Sequence, residues 1–168
     1  MRYLVNIVLL FAFVISFSSC GYKPSSKYAR KVVGEKVSTS VIISSNNPEN
    51  TVLLKDAIDS AIIEVFQSSL TSKKYSTTHL NIKLKNVIYD PLAFDKDGYV
   101  IAYRAKILLH IDRRTAQHYQ SYFQQGTYDF SVVANAVITD SERYNAIKYS
   151  AKKAVNSFVS KITSQGIR

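Results

Sequence analysis

The chain has 168 residues, with 22 basic against 12 acidic side chains and a formal net charge of +10. That length supports one domain with a true core, and only 5 glycines and 3 prolines exclude a disordered or collagen-like chain. Cys20 is the single cysteine, which excludes any intramolecular disulfide.

Arg2 gives the N-terminus a positive charge, and residues 4–17 are apolar apart from Asn6 and Ser16. Fourteen residues make a helix of about 21 Å, short of the ~30 Å hydrocarbon core of a bilayer. The run therefore fits the apolar segment of a signal peptide, residues 1–19, better than a membrane span. It ends in Phe17-Ser18-Ser19-Cys20-Gly21, which has the shape of a lipobox. Small residues let the backbone enter a peptidase cleft, and the thiol of Cys20 is the atom that receives diacylglycerol. Phe17 stands where an aliphatic residue is usual. Lipidation also accounts for an odd cysteine in an exported chain. The only added groups expected are the covalent diacylglycerol and an N-acyl chain on Cys20, enough to anchor the protein without spanning. Removal of residues 1–19 leaves 149 residues with 21 basic and 12 acidic side chains. An exported chain with that excess meets anionic lipid, lipopolysaccharide phosphate or peptidoglycan, and not nucleic acid.

Residues 20–36 read as a lipidated tether, and 37–168 as one folded domain. Residues 36–43 have strand composition, rich in β-branched side chains. The cluster at 46–50 is a turn, and it leads into a helix from Val52 to Leu70. There Leu54, Ala57, Ile58, Ala61, Ile62 and Val65 form one apolar stripe. Three strand-like segments follow. In the first, Leu80, Ile82, Leu84 and Ile88 alternate with Asn81, Lys83, Lys85 and Val87. In the second, Ile101, Tyr103, Ala105, Ile107, Leu109 and Ile111 alternate with Ala102, Arg104, Lys106, Leu108 and His110. Period-two alternation means one buried face and one open face. Asp95 to Gly98 between these segments signals a hairpin turn. The third segment, 119–133, is aromatic, and Gly126 within it indicates a bulge or a close backbone approach.

A final helix begins at a capping box formed by Thr139 and Glu142. Tyr144, Ile147, Ala151, Ala154 or Val155, Phe158 and Ile162 make its apolar stripe, while Lys148, Lys152, Lys153 and Lys161 cover its exposed side. Two amphipathic helices and a one-faced sheet bury each other. The expected fold is α+β, a two-layer sandwich with about four mixed or antiparallel strands and both helices on one face, in the order β-α-β-β-β-α.

The three histidines, His79, His110 and His118, lack metal-site spacing, and no glycine-rich phosphate loop is present. His110 and Asp112 share a strand face as a surface pair more readily than as half of a triad. No enzymatic activity is expected. Binding is the better reading: Lys83, Lys85, Arg104 and Lys106 point from one sheet face and would form a compact basic patch, with Asn81 and His110 nearby. Lysine and arginine hold lipid phosphates by charge-assisted hydrogen bonds. A plainly solvated sheet face is the competing reading of the same residues. Arg113 and Arg114 sit at a strand end, suited to a partner or headgroup contact. Tyr99, Tyr103, Tyr119, Tyr122, Tyr128, Tyr144 and Tyr149 suit a recognition surface or a small core equally.

The Cys20-Gly21-Tyr22 start, the Ser40–Ile43 strand, the helix from Val52, the hairpin at Gly98-Tyr99, the Tyr103-Arg104-Ala105 strand and the lysine-rich last helix together resemble the lipopolysaccharide-assembly lipoprotein LptE family. The resemblance spans nearly the whole mature chain. It implies a non-enzymatic plug and assembly subunit, seated in an LptD-type outer-membrane β-barrel and contacting lipopolysaccharide. Gly21 in place of the aspartate that retains lipoproteins at the inner membrane agrees with delivery to the periplasmic side of the outer membrane. Two other roles fit an exported lipoprotein of this size: a lipid or lipoprotein carrier with an apolar cavity, and a pilotin-like lipoprotein.

Overall fold

A computed structural model describes residues 33–43, 51–67 and 69–165; the signal segment and Cys20 lie outside them. The elements are β1 (Val37–Ile43), α1 (Thr51–Phe66), β2 (Thr78–Phe94), β3 (Val100–Thr115), β4 (Tyr119–Ser131) and α2 (Asp140–Gln165). One sheet runs in the order β1-β2-β3-β4. β1 pairs parallel to β2, while the other two pairings are antiparallel. A parallel pair cannot close through a tight turn and needs a crossover, which α1 supplies. The expected β-α-β-β-β-α sandwich is therefore the fold observed.

The alternation predicted for β3 holds from Ala105 to Ile111, while Ile101 to Arg104 are all half-buried. Ala105, Ile107, Leu109 and Ile111 are all buried, together with Leu80, Ile82 and Leu84 of β2. Against them pack Ala57, Ile58, Ala61 and Ile62 of α1 and Ile147, Ala151, Ala154, Val155, Phe158 and Ile162 of α2. Phe158 is fully enclosed and meets the Tyr122 ring edge-on at 5.2 Å between centroids. Burying a side chain of that size contributes about 1.5–3 kcal/mol. Val33 also belongs to this core, so among the described residues the packing extends four positions before β1.

Two local expectations change, and a third is decided between its two alternatives. The first helix stops at Phe66 instead of Leu70. Serine and threonine favour turns that use their side chains to bond the backbone, and the chain here leaves the helix to run beside β1. Val37 N donates to Ser69 O at 2.7 Å, and Thr71 N donates to Val37 O at 2.8 Å. In β2 the register shifts between Leu84 and Asn86, which makes Lys85 the extra residue of a bulge. The bulge reverses the facing of everything after it. Val87 packs against the core, whereas Ile88 is 44 % exposed on the other side, the opposite of the simple alternation. Gly126, by contrast, lies in an unbroken β3–β4 register. Its role is the close approach: a Cβ there would sit 1.9 Å from the Ser150 carbonyl oxygen and 2.7 Å from Ala154 N of α2.

The turns and caps follow local chemistry. Asp95 Oδ1 accepts from Asp97 N at 2.9 Å and Tyr99 N at 2.8 Å, and Gly98 takes φ +84°, a value that glycine adopts without steric cost. Thr139 and Glu142 make the full capping box: Glu142 N donates to Thr139 Oγ1 at 3.2 Å and Thr139 N donates to Glu142 Oε2 at 2.7 Å. Two of the lysines expected on the exposed side of α2 reach across to α1. Lys148 and Lys152 both pair with Glu64, the second at 2.8 Å, beside a Ser60–Tyr144 hydroxyl contact of 2.8 Å. Hydrogen bonds from these two lysines hold the Glu64 carboxyl at about 2, below its ordinary value.

Two outcomes test this packing. Gly126→Ala should destabilise the domain by about 3 kcal/mol in denaturant titration, since helix backbone and not a flexible side chain stands in the way. Glu64 has a folded pKa below its unfolded one, so its contribution is present above pH 4.5 and disappears as the pH falls towards about 2. Over that window the thermal midpoint of the native protein should fall more steeply than that of Glu64→Gln; parallel slopes would show that the inter-helix cluster does not couple to folding.

Candidate functional site

With both described helices on one side, no described helix covers the other sheet face. Its residues follow from the register. β2 offers His79, Asn81 and Lys83 before the bulge and Asn86, Ile88 and Asp90 after it. β3 offers Arg104, Lys106, Leu108, His110, Asp112 and Arg114, and β4 offers Tyr119, Ser121, Phe123, Gln125, Thr127 and Asp129.

Three of the four expected basic residues, Lys83, Arg104 and Lys106, share this face, but each has a carboxylate partner. Arg104 lies directly opposite Asp129 and makes two parallel bonds to it, both 2.7 Å. Lys106 reaches diagonally to Asp90 at 2.5 Å, and Lys83 reaches diagonally to Asp112 at 3.2 Å. Lys85 is separate from them, exposed in the bulge. The expected uncompensated basic patch is thus a lattice of matched ion pairs. Paired charges this exposed contribute little to stability, but they leave the centre of the face nearly neutral.

Asp112 is the most enclosed of these carboxylates, with 7 % of its side chain exposed. Ser121 Oγ donates to Asp112 Oδ1 at 2.6 Å, and His110 Nε2 lies 3.2 Å from the same oxygen. Burial pushes the Asp112 carboxyl up, but Ser121, Tyr119 and Lys83 together outweigh it and hold the group below the usual carboxylate range. His110 stacks flat on Phe123, 4.5 Å between centroids and 6° between planes. Ser121 bonds the carboxylate and not the imidazole, so this cluster positions charge and does not build a nucleophile. Phe123 is 60 % exposed, and with Ile88 it gives the neutral centre an apolar surface.

Towards the β1 edge the face dips into a hollow of about 370 Å³. Its floor comes from Ser40, His79 and Asn81 on paired β1 and β2 positions. Lys73 from the 3₁₀ turn Lys73–Tyr75 enters from one side, and Arg114 and Tyr119 stand at another. Ser38 Oγ lies 2.8 Å from His79 Nδ1 and donates to Ser76 Oγ at 2.8 Å. Burial and the nearby Lys73 and Arg114 push His79 below its ordinary value, which keeps the ring neutral at pH 7. Arg114 lies over the Tyr119 ring, 5.7 Å from its centroid. The sequence marks Arg114 only as a strand-end cation. Lys73 carries no strand signal, and only the return of the chain beside β1 brings it here.

No family model matches the sequence. No curated protein matches it either. Solved structures do resemble it. A protein of Caulobacter crescentus CB15 provisionally described as a lipoprotein is 6 % identical, with TM-score 0.47 over 84 % of this chain and 96 % of that one. The rare lipoprotein B of Shewanella oneidensis is 12 % identical, with TM-score 0.44 over 77 % and 98 %. A minor lipoprotein of Acinetobacter baumannii is 6 % identical, with TM-score 0.42 over 80 % and 95 %.

Asp112→Asn keeps the shape of the open-face cluster and removes its charge. At neutral pH it should cost about 1.5–3 kcal/mol of stability, the usual worth of hydrogen bonds to a buried charge. Because the folded carboxyl titrates low, the gap between native and variant should close as the pH falls below the ordinary aspartate range. A gap independent of pH would mean that shape and not charge holds the cluster.

Proposed function

We propose that this chain is an outer-membrane lipoprotein, anchored through acyl chains on Cys20 on the periplasmic side, that serves as a non-enzymatic plug and assembly subunit of a lipopolysaccharide translocon. It binds an LptD-type β-barrel and contacts lipopolysaccharide. The observation that supports this most is the sheet covered on one face only. Its open face interleaves matched ion pairs with Ile88 and Phe123. The interior wall of a large barrel is polar, and a neutral, hydrogen-bonding surface with scattered apolar contacts complements it better than a uniformly cationic one, which would have to shed its hydration unpaired. The lipobox and the excess of positive charge agree with this placement, as does the order of elements. The space between sheet and helices is filled by Phe158, Ile62, Ile107 and their neighbours, so acyl chains in a carrier would have to displace packed side chains.

The test is affinity purification of the full-length lipidated chain from detergent-solubilised outer membranes. A large β-barrel should co-purify in equal amount, and depletion of the lipoprotein should leave that barrel immature. Normal barrel maturation after depletion would remove the proposal, and capture of a secretin in its place would establish the pilotin-like role.

A further inference from the structure

The hollow at the β1 edge differs from the rest of the open face in its charge. Lys83 is matched by Asp112, but among the described residues no carboxylate lies within ion-pair distance of Lys73 or Arg114. These two cations line a concave space that the matched Lys83–Asp112 pair and the His79 imidazole also line, so the hollow carries a net positive charge. Both side chains are exposed, so their pull on an anion is screened by salt and weakens as ionic strength rises. Polar side chains complete the lining: Asn81, whose Oδ1 accepts from Ser40 Oγ at 3.2 Å, and Tyr119, whose hydroxyl bonds Asp112. The Tyr119 ring, 59 % exposed and polarised by Arg114, offers a flat face of the kind on which polyol rings stack. The volume is in the range of small-molecule sites.

We infer that this hollow is a binding site for a phosphate ester of a polyol, its phosphate held by Lys73 and Arg114 and its hydroxyl-bearing part set against Tyr119 and Asn81. A membrane glycolipid or phospholipid headgroup and a soluble sugar phosphate carry the same chemistry. The site deepens the lipopolysaccharide half of the function proposed above and is independent of the barrel half. Guanidinium and ammonium complement each other here: the planar fork of Arg114 takes two phosphate oxygens, and Lys73 supplies a mobile point charge. His79 reports occupancy, because an anion that offsets Lys73 and Arg114 lifts the depression these two cations impose on it.

The full-length lipidated chain in neutral detergent micelles provides the test. Inorganic phosphate, glucose 1-phosphate, and micelles doped with phosphatidylglycerol are titrated against glucose and phosphatidylcholine, with binding read by calorimetry and the His79 ring by NMR. Glucose 1-phosphate or the doped micelles should bind saturably while both neutral probes do not, and the His79 titration should move up on binding. Response to the sugar phosphate identifies a soluble source, and response to the doped micelles alone identifies a headgroup. Lys73→Gln and Arg114→Gln should each weaken binding about tenfold or more, with Lys96→Gln in the exposed hairpin turn as the charge-matched control. No saturable binding, an unmoved His79, or an equal loss in Lys96→Gln overturns the site. Barrel co-purification with the Lys73/Arg114 double variant separates the two ideas: an intact barrel complex with lost anion binding supports the hollow as a distinct site, and concurrent loss of both in a normally folded variant overturns its independence.

Discussion

A helix backbone seldom rests directly on a strand backbone, because side chains hold the two about 10 Å apart. Here the absence of one Cβ at Gly126, opposite Ser150 and Ala154, brings α2 down onto β4. Ser150 completes the contact from the helix side: its hydroxyl donates to Ala146 O at 2.6 Å and lies 3.3 Å from the Ala105 carbonyl of β3. Small residues at Ala146, Ser150, Ala151 and Ala154 make the seam, and Ile147, Val155, Phe158 and Ile162 fill the space beside it. With α2 seated this way, α1 occupies the remaining width over β1 and is tied to α2 through Glu64. Both described helices are used up on one face, and among the described residues no helix covers the other.

That arrangement decides where the positive charge of the chain is expressed. Lysines of α2 are drawn into the helix–helix seam by Glu64 or lie over aromatic rings, as Lys153 does above Tyr128 at 5.9 Å and Lys161 above Tyr122 at 5.7 Å. On the open face, cross-strand neighbours convert most of the cations into ion pairs. Lys73 and Arg114 escape because one arrives from a turn and the other stands at the end of the β2–β3 ladder, where no acidic position lies opposite. Charge excess in the composition thus becomes local through topology, at one edge of the sheet.

Much of this was readable from residues. The alternation of β3 from Ala105 to Ile111, the apolar stripe of α2, the Thr139–Glu142 box and the Asp95–Gly98 turn each depend on neighbours within a few positions, and all appear as expected. The ion pairs were not readable, for two reasons. Asp90 reaches the open face only because the bulge at Lys85 reverses the facing of β2, and a bulge leaves no sure mark in a run of lysines and asparagine. Asp129 lies in an aromatic strand whose pairing register is set by long-range contacts. Counting cations on a face is local arithmetic, whereas finding their counter-charges needs the register. The hollow is less legible still, since it joins β1, a 3₁₀ turn and the far end of β3.

Val33 is packed into the core, and that sets an upper limit on the reach of the domain from Cys20. On the proposed anchorage, Cys20 lies thirteen positions before Val33, the first described core residue, a contour of at most about 45 Å. The domain can therefore sweep only a shallow hemisphere beneath the bilayer, roughly one domain diameter deep. Any partner must present its contact surface inside that volume, and a tethered encounter there is a high-local-concentration event that needs little intrinsic affinity. With that anchorage, core contact at Val33 would make the search for a partner a nearly two-dimensional one.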